Sequence, residues 1–278
     1  MDSYLVIGNP VAHSKSPHIH ARFASLTGQT LTYERLQVEP GHFAARMREL
    51  IDQGLKGCNV TVPFKLEACA LAQERSDRVH LAGAANTLSF QAGRIQADNT
   101  DGIGLVRDIE VNAGQTLRGS RVLLLGAGGA AAGALGPLLL AGPAQLVVSN
   151  RTEAKARELV ARHHAYASLQ AALSRTELLA LPLDASLPAF DVVINATAGS
   201  LAGAAPPIAA SALQPNALVY DMMYGPAAQA FLQWAATQGA RPRDGLGMLV
   251  EQAAESFFIW RGVRPPTAPV LAHLRQGG

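Results

Sequence analysis

The sequence is poor in charge, since only 16% of its 278 residues are Asp, Glu, Lys or Arg and the formal net charge is +2. So small a net charge, without any local run of Lys or Arg, argues against nucleic acid as a partner. Hydrophobic residues make up 49% of the chain. This composition predicts a compact globular protein with a sizeable core, in one large domain or two smaller ones.

Cysteine is equally scarce, with Cys58 and Cys69 the only two in the chain. They do not form a CxxC pair, and no His stands near them at metal-ligand spacing. Both lie in apolar surroundings. We therefore expect reduced thiols in a cytoplasmic protein rather than a disulfide framework, and we expect no metal site.

The sequence also lacks a recognisable targeting or membrane segment. Its N-terminus, "MDSYLVIGNP", has no basic start and no long apolar run, so we expect no signal peptide. Gly, Pro or polar residues interrupt the longest apolar stretches, which argues against a transmembrane span. We predict no membrane partner, and a monomer or homodimer that binds a small-molecule substrate.

What the sequence does contain is a repeated alternation of strand and helix patterns. In the first third of the chain, "YLVIGNP", "LTYERLQV" and "GCNVTVPF" predict strands, whereas "SPHIHARFASLTG" and "HFAARMRELIDQ" predict helices. The stretch "ANTLSFQAGRIQADNT" predicts a hairpin that turns at Gly93. This alternation indicates an α/β unit with a mixed or parallel sheet.

A second α/β unit begins after the helical "GLVRDIEVNAG". It contains the strand, glycine turn and helix of "RVLLLGAGGAAAGALGPLLLAG", and further strands at "AQLVVSNRT", "FDVVINATA" and "ALVYDMMY". We predict two α/β domains: a substrate domain over residues 1–102 and 245–278, and a Rossmann-like dinucleotide-binding domain over 103–244. The last long segment, "GLGMLVEQAAESFFIWRGV", predicts a helix that packs back on the first domain.

The glycine turn is the strongest local signal for a cofactor. Gly126-x-Gly128-x-x-Ala131 follows an apolar strand directly and opens a helix. In that context Gly126 permits the tight turn, Gly128 lets the backbone approach a pyrophosphate, and Ala131 lets helix and strand pack closely. The alternative is a glycine-rich turn that binds nothing.

The end of the next strand indicates which dinucleotide binds. An NAD site usually has an acidic residue here, but this chain has Asn150, Arg151 and Thr152, with Lys155 one turn later. A cationic loop without an acid favours the 2′-phosphate of NADP. The alternative is a solvated basic helix start, although basic residues there oppose the helix dipole.

Polar residues cluster where strands or turns of the first domain end, in "HSKS", "NVTVPFK", "AANT" and "DNTDG". Each has an ordinary structural explanation: Ser16 and Asp101 as helix caps, Asn86 and Asn99 as turn residues, and Lys65 as a surface lysine. Together they supply neutral hydrogen-bonding groups, one Lys and one Asp beside a nicotinamide domain. Such a set suits a small, hydroxyl-rich acid.

These stretches resemble the shikimate dehydrogenase family. The resemblance covers essentially the whole chain and keeps the family's order, through "GNPVAHSKSPHIH", "NVTVPFK", "AGAANTL", "DNTDGIGLVRD", "GAGGAA", "NRT", "INAT", "YDMMY" and "DGLGMLVEQAA". It implies NADPH-dependent, reversible reduction of 3-dehydroshikimate to shikimate in aromatic amino-acid (chorismate) biosynthesis. It also implies that the first domain binds shikimate.

The resemblance implies a role for individual residues. Lys65 and Asp101 match the family's catalytic pair. Substrate contacts are implied for Ser14, Ser16, Asn59, Thr61 and Asn86, and, from the far side of a cleft, for Tyr224 and Gln252. Contacts to NADP are implied for Gly126, Ala127, Gly128, Gly129, Ala130, Asn150, Arg151, Thr152, Lys155, Thr197, Met222, Gly245 and Met248.

Two departures from the family's pattern concern the cofactor. Ala132 stands where some members carry a basic residue, and Lys155 stands where an Arg is frequent. Both reduce the positive charge near the expected 2′-phosphate. Two alternatives therefore remain: a quinate/shikimate dehydrogenase that uses NAD, and a non-catalytic NADP-binding regulator on the same fold. The charge in the 150–155 loop separates an NADP enzyme from the quinate/shikimate dehydrogenase. The presence of both Lys65 and Asp101 argues against the regulator.

Overall fold

The computed structural model of the chain describes residues 1–183, 186–197 and 208–277. They form two compact units, which we call unit 1 (Met1–Gly104 and Val250–Gly278) and unit 2 (Leu105–Leu249). Each unit contains one six-stranded sheet with helices. The predicted two-domain α/β fold is therefore confirmed.

The sheet of unit 1 is mixed. Its strands are β1 (Asp2–Gly8), β2 (Leu31–Gln37), β3 (Gly57–Val60), β4 (Glu74–Arg75), β5 (Thr87–Gln91) and β6 (Arg94–Asp98). They lie in the order β2-β1-β3-β5-β6-β4. Strand β1 pairs parallel with β2 and β3, whereas β5 runs antiparallel to β3 and β6. The carboxyl ends of β1 and β3 therefore meet at one edge of the sheet.

The helices of unit 1 alternate with its strands. They are α1 (Ser16–Thr27), α2 (Phe43–Asp52), α3 (Lys65–Leu71), α4 (Asp77–Ala82) and α11 (Ala268–Arg275). Two more helices, α5 (Asp101–Arg107) and α10 (Leu246–Arg261), carry the chain from one unit into the other. Fully buried Phe43, Met47, Phe64 and Leu88 contribute to a core under the sheet.

The β5–β6 hairpin forms where the sequence predicts it. Gln91 pairs with Arg94, so the loop is Ala92 and Gly93, both with positive φ, at 50° and 75°. Two-residue hairpin loops of this kind match the right-handed twist of the flanking strands. The turn residues thus fix the register that places Thr87 opposite Asp98.

The strand predicted over "GCNVTVPF" is present but shorter than expected. Strand β3 ends at Val60, and its four residues are all buried. Pro63 has no N–H to donate to a neighbouring strand, and the Phe64 N–H donates to the Thr61 carbonyl at 3.0 Å instead. Val62 is 62% exposed in the resulting turn. Asn59 and Lys65 therefore belong to different elements rather than to one polar strand face.

The sheet of unit 2 is entirely parallel. Its strands are β7 (Arg121–Leu125), β8 (Gln145–Asn150), β9 (Glu177–Pro182), β10 (Phe190–Asn195), β11 (Leu213–Asp221) and β12 (Arg241–Arg243). They lie in the order β12-β11-β10-β7-β8-β9. Central strands such as β7 are apolar on both faces, as expected for a sheet covered by helices on both sides. The two edge strands, β9 and β12, have no clear pattern in the sequence.

The helices of unit 2 connect its parallel strands. They are α6 (Gly129–Leu140), α7 (Glu153–His164), α8 (Gln170–Leu173) and α9 (Gln229–Thr237), and a π-helical turn, Asp108–Asn112, continues α5. Helix α6 leads from β7 to its neighbour β8, and α7 follows β8 directly. The β7–α6 and β8–α7 loops therefore lie next to each other at the carboxyl end of the sheet.

The last part of the chain returns to unit 1, as predicted. On α10, the Trp260 indole N–H donates to the Leu88 carbonyl at 3.0 Å. A Cβ atom on Gly57 would lie 2.6 Å from the Trp260 Nε1 atom, so only glycine permits this approach. The helix is therefore packed directly against β3 and β5.

None of the helices in the described part of the chain combines the length and apolar character that crossing a bilayer requires. In the same residues, no cluster of three or more His, Cys, Asp or Glu side chains is arranged to hold a metal ion.

Candidate active site

The centre of the candidate site in unit 1 is an ion pair. The Lys65 ammonium donates to Asp101 Oδ2 at 2.6 Å. Lys65 is the first residue of α3 and Asp101 the first of α5, so each side chain is held by the start of a helix. The side chains remain 31% and 14% exposed. The pair is therefore partly shielded from water but still accessible to a small molecule.

Asn86 holds the other oxygen of the same carboxylate. Its Nδ2 donates to Asp101 Oδ1 at 2.8 Å, while its Oδ1 accepts from the Thr100 N–H at 2.9 Å. Asp101 thus receives one hydrogen bond from a cation and one from a neutral amide. The two donors, one on each oxygen, fix the plane in which the carboxylate lies.

A buried cluster of amides and hydroxyls extends from Asn86 into unit 1. It comprises Asn59, Asn86, Thr87, Thr100, Gln252 and Ser256. These residues come from β3, β5, α10 and the loops beside them. The ladder of β3 with β5 and the packing of α10 bring them together. Low-polarity surroundings strengthen such bonds and make each unsatisfied group costly, so the cluster is held in one arrangement.

Asn59 is engaged within this cluster. Its Nδ2 donates to Ser256 Oγ at 2.9 Å and Thr87 Oγ1 at 3.1 Å, and its Oδ1 accepts from the Tyr33 hydroxyl at 2.7 Å. The residue is buried. Its amide hydrogens point at protein acceptors, so Oδ1 is the atom on which it could receive a substrate hydroxyl.

Ser14 and Ser16 lie at the start of α1. The Ser16 N–H donates to Ser14 Oγ at 3.3 Å, and the Arg35 guanidinium donates through Nε to the Ser14 carbonyl at 2.8 Å. Ser16 is the first helical residue, and Lys15 occupies the capping position without a side-chain cap bond. The Ser14 side chain, and not that of Ser16, therefore accepts a hydrogen bond from a backbone N–H at the start of α1.

Thr61 follows β3 in the turn before Lys65. Its N–H donates to the Ile7 carbonyl at 2.9 Å, and a Cβ atom on Gly8 would overlap its methyl group. Gly8, which the sequence did not single out, thus allows the ends of β1 and β3 to approach closely.

Asn99 has the structural role of a turn residue, because its Oδ1 accepts from the Asp101 N–H at 3.2 Å.

The candidate cofactor site in unit 2 is built on the β7–α6 loop. Gly126 has φ of 109°, and its N–H donates to the Ser149 carbonyl at 2.8 Å. Nothing lies within 4 Å of a Cβ atom placed on Gly128 or Gly129, and no side chain of the described residues caps α6. Ala131 is fully buried against the sheet. The loop therefore presents backbone N–H groups next to open space, which fits a pyrophosphate.

The neighbouring β8–α7 loop carries the cationic residues. Asn150 Nδ2 donates to the Thr152 carbonyl at 2.9 Å, which shapes the loop. Arg151 and Lys155 are exposed, and neither has an ion pair within the described residues. The carboxylate of Glu153 is occupied, because it accepts from Arg157 Nε at 2.6 Å. The loop thus offers an unneutralised guanidinium to an anion.

The remaining predicted cofactor residues lie at the carboxyl ends of β10 and β11 or near the start of α10. Thr197 Oγ1 donates to Asn195 Oδ1 at 2.7 Å, and its methyl group is in reach of a Cβ atom on Gly126. The Met222 N–H donates to the Asn195 carbonyl at 3.0 Å, and the Gly245 N–H to the Met223 carbonyl at 2.9 Å. Met248 is buried. A Cβ atom on Gly245 would overlap the Met222 carbonyl.

Tyr224 lies in unit 2, two residues beyond Met222, whereas Gln252 lies in unit 1 on α10. Burial raises the pKa of the Tyr224 phenol, so it remains protonated and can donate a hydrogen bond. Gln252 Oε1 accepts from Asn86 Nδ2 at 3.3 Å. The hydrogen bonds of unit 1 thus connect Lys65, Asp101, Asn86, Gln252 and Asn59.

Three family models match consecutive parts of the chain. Residues 6–88 match the shikimate dehydrogenase substrate binding domain, residues 109–206 the shikimate / quinate 5-dehydrogenase model, and residues 245–275 the shikimate 5′-dehydrogenase C-terminal domain. A curated shikimate dehydrogenase (NADP(+)) from Acidovorax sp. (strain JS42) is 62% identical over 274 residues, which are 99% of this chain and 96% of that protein. The chain belongs to the shikimate dehydrogenase family.

Solved structures of similar proteins agree with this family assignment. An Ael1 enzyme from Pseudomonas putida has a TM-score of 0.89 and 48% identity, covering 99% of this chain and 98% of that one. Shikimate 5-dehydrogenase from Thermus thermophilus, solved in complex with NADP(H) and shikimate, has a TM-score of 0.85 and 30% identity, covering 99% of each chain. The two-domain fold is thus that of the shikimate dehydrogenase family.

The sequence did not single out several residues that the structure places beside the candidate active site. Thr87 and Thr100 lie in "AANT" and "DNTDG", directly beside the amide and acidic residues that the resemblance marks. Ser256 is four residues beyond Gln252, so helical spacing already puts both on one face of α10. Tyr33 lies in an ordinary strand pattern, and nothing near it in the sequence marks it.

Proposed function

We propose that the chain catalyses the reversible, NADPH-dependent reduction of 3-dehydroshikimate to shikimate in aromatic amino-acid biosynthesis. Unit 1 binds the substrate and unit 2 binds NADP. The observation that carries the proposal is the Lys65–Asp101 ion pair, partly accessible and joined to a cluster of neutral hydrogen-bonding groups. Membership of the shikimate dehydrogenase family supports the same reaction.

Unit 2 has the groups that NADP requires. The N–H groups of Gly128, Gly129 and Ala130 at the start of α6 would hold the pyrophosphate, and Arg151 would hold the 2′-phosphate. Further contacts to NADP are proposed for Asn150, Thr152, Lys155, Thr197, Met222, Gly245 and Met248. Bound NADPH supplies the hydride for the reduction.

The residues of unit 1 orient the substrate and move the proton. Lys65 donates a proton from Nζ to the ketone oxygen of the substrate as that oxygen becomes a hydroxyl, and it removes this proton in the reverse direction. Asp101 holds the ammonium in place at 2.6 Å. Ring hydroxyls are bound by Asn59, Thr61, Asn86 and Asp101. Ser14 and Ser16 bind the carboxylate, and Tyr224 and Gln252 add further substrate contacts.

Steady-state assays of the purified protein test this proposal. Shikimate and quinate are each offered with NADP+ and with NAD+, and reduced cofactor is followed by absorbance. We expect the highest kcat/KM with shikimate and NADP+. A preference for NAD+, or comparable efficiency on quinate, would instead support the quinate/shikimate alternative. Cofactor binding without turnover of either acid would support the regulator.

Two further parts of the proposal concern the cellular setting. We propose that the protein acts in the cytoplasm, in keeping with two free thiols and no disulfide among the described residues. We also propose a monomer or homodimer, which light scattering of the purified protein at several concentrations would distinguish.

A further inference from the structure

One hydroxyl group lies at the centre of the buried polar cluster. Thr87 Oγ1 donates to Asn86 Oδ1 at 2.9 Å and accepts from Asn59 Nδ2 at 3.1 Å. It also lies 2.8 Å from Ser256 Oγ. The Thr87 residue is 1% exposed, on β5, and it is not among the residues proposed above to contact substrate or cofactor. It therefore connects two proposed substrate ligands without being one.

The direction of these hydrogen bonds follows from the chemistry of the groups. The Tyr33 hydroxyl donates to Asn59 Oδ1, which is an acceptor only, so the Asn59 amide turns its Nδ2 toward Thr87. Thr87 Oγ1 thus receives a hydrogen from Asn59 and has its own hydrogen available for Asn86 Oδ1.

The Asn86 amide beside the Lys65–Asp101 ion pair is oriented in the same way. Asn86 Oδ1 accepts from both the Thr87 hydroxyl and the Thr100 N–H, at 2.9 Å each. With two donors on its oxygen, the Asn86 amide must turn its Nδ2 toward Asp101, where it donates to Oδ1 at 2.8 Å. The Thr100 hydroxyl also donates to Asn86 Oδ1, at 3.2 Å, so Thr87 makes the shorter of the two side-chain hydrogen bonds to this oxygen.

We propose that Thr87 is a positioning residue for the reaction, whose hydroxyl keeps the Asn86 amide directed at Asp101. It acts through Asn86 on both the substrate hydroxyl and the Lys65–Asp101 pair. The inference rests on the proposed function. It adds to that function a residue that is separated from the substrate by Asn86 and that determines how well the catalytic pair is held.

The test compares Thr87→Val with Thr87→Ser. Valine has nearly the shape of threonine but no hydroxyl, whereas serine keeps the hydroxyl and loses only a methyl group. We expect Thr87→Val to lower kcat/KM for shikimate by about tenfold, the effect of one lost buried hydrogen bond. Thr87→Ser should retain at least half of the wild-type value, and KM for NADP+ should stay within twofold in both variants.

Thr176→Val is the matched control. Thr176 is also buried, and its Oγ1 has no hydrogen-bond partner among the described residues, so valine there should leave kcat/KM unchanged. If Thr87→Val fails to fold, as judged by circular dichroism, Thr87→Ala replaces it with the same expectation. The inference is overturned if Thr87→Val behaves like Thr176→Val, or if Thr87→Ser loses as much as Thr87→Val.

A crystal structure of the ligand-free Thr87→Val protein separates this inference from the proposed function. We expect the Asn86 amide to have turned away from Asp101, or its Nδ2 to lie beyond hydrogen-bond distance of Oδ1. An unchanged Asn86–Asp101 bond would overturn the inference. Absence of shikimate oxidation by the wild type would count against the proposed function instead, whatever this structure shows.

Discussion

Unit 1 and unit 2 present their candidate sites in different ways. In unit 1 the site is made of side chains that bind one another, from Lys65 through Asp101, Asn86 and Thr87 to Asn59. In unit 2 the backbone around Gly126 and Gly128 forms the site, next to the exposed Arg151. The difference matches the ligands proposed for them. A hydroxylated acid needs donors and acceptors at defined points, whereas a pyrophosphate needs N–H groups and space.

This contrast affects how each site should respond to substitution. A change in the side-chain cluster of unit 1 leaves a buried partner unsatisfied, so its effect should spread to neighbouring residues. In unit 2, a methyl group added at Gly128 or a charge removed at Arg151 should act on the cofactor alone, because both positions are open.

The largest effect should come from the ion pair of unit 1. Lys65→Ala removes the proposed proton donor, and we expect kcat to fall by about 10²-fold or more, the usual scale for general acid–base groups. Substrate affinity should change less than kcat. Lys56→Ala is the control, since Lys56 is also a lysine of unit 1 but exposed and outside the cluster. Near-normal turnover of Lys65→Ala would mean that another group moves the proton.

The next effect tests the charge in unit 2. Arg151→Ala should weaken NADPH binding by about 1.5–3 kcal/mol, because a charge-assisted contact to the 2′-phosphate is lost. NADH binding should change little. The measurement is the ratio of kcat/KM with NADP+ to that with NAD+, which we expect to fall about tenfold or more. Arg162→Ala, at the other end of α7 and also exposed, is the control. An unaltered ratio in Arg151→Ala would exclude this role.

Two glycine substitutions in unit 2 should separate a ligand-facing glycine from a structural one. Gly128→Ala should fold normally, since nothing lies within 4 Å of the added Cβ atom, but it should raise KM for NADP+. The new methyl group would occupy space that the pyrophosphate needs. Thermal unfolding and cofactor titration together check both expectations, and a loss of stability in Gly128→Ala would contradict them.

Gly247→Ala should have the opposite effect. Its added methyl group would overlap the carboxylate of Asp108, which is fully buried and accepts from the Tyr220 hydroxyl at 2.7 Å and from Arg243 Nε at 2.8 Å. Relieving this overlap would disturb the buried ion pair, so we expect a loss of about 1–3 kcal/mol or more in the free energy of unfolding. Normal stability of Gly247→Ala would show that the start of α10 can shift away from Asp108 without cost.

In their response to acid the two units should resemble each other. Burial lowers the pKa of His20 in unit 1 to about 3 and that of His163 in unit 2 to about 4. Both therefore remain neutral when folded, but they take up a proton near pH 6.5 when unfolded. The contribution of each neutral histidine to the free energy of unfolding is complete above pH 6.5. It is lost as the pH falls toward the pKa of the folded state, by about 1.4 kcal/mol per pH unit for each histidine.

Urea unfolding between pH 7 and pH 5 measures the slope of the free energy of unfolding against pH. His20→Phe keeps an aromatic ring against Tyr33, whose ring centroid lies 4.1 Å from that of His20, and should remove about half of the slope in this range. His80→Phe is the control, because His80 is exposed. A slope that stays the same in His20→Phe would show that the acid sensitivity has another origin.

Much of the fold follows from local patterns that the sequence already displays. The apolar strand before Gly126, the turn at Ala92–Gly93 and the apolar spacing of α10 each predict their element, because the forces that select them act between near neighbours. The strand predicted over "GCNVTVPF" ends earlier than expected, because the residues of one segment do not reveal where its partner strand ends. Backbone bonding in the turn around Pro63 decided that point.

The order of residues specifies the chemical groups of this protein, which are a lysine, an aspartate, several amides, a glycine turn and a cationic loop. The same order shows its family. Which of these groups are joined depends on how the chain packs in three dimensions. Thr87 and Ser256 are 169 positions apart and bond at 2.8 Å. Gly247 must be glycine because Asp108 lies against it. Such contacts depend on how distant elements pack, and the periodicity of a short segment carries no information about its distant partners.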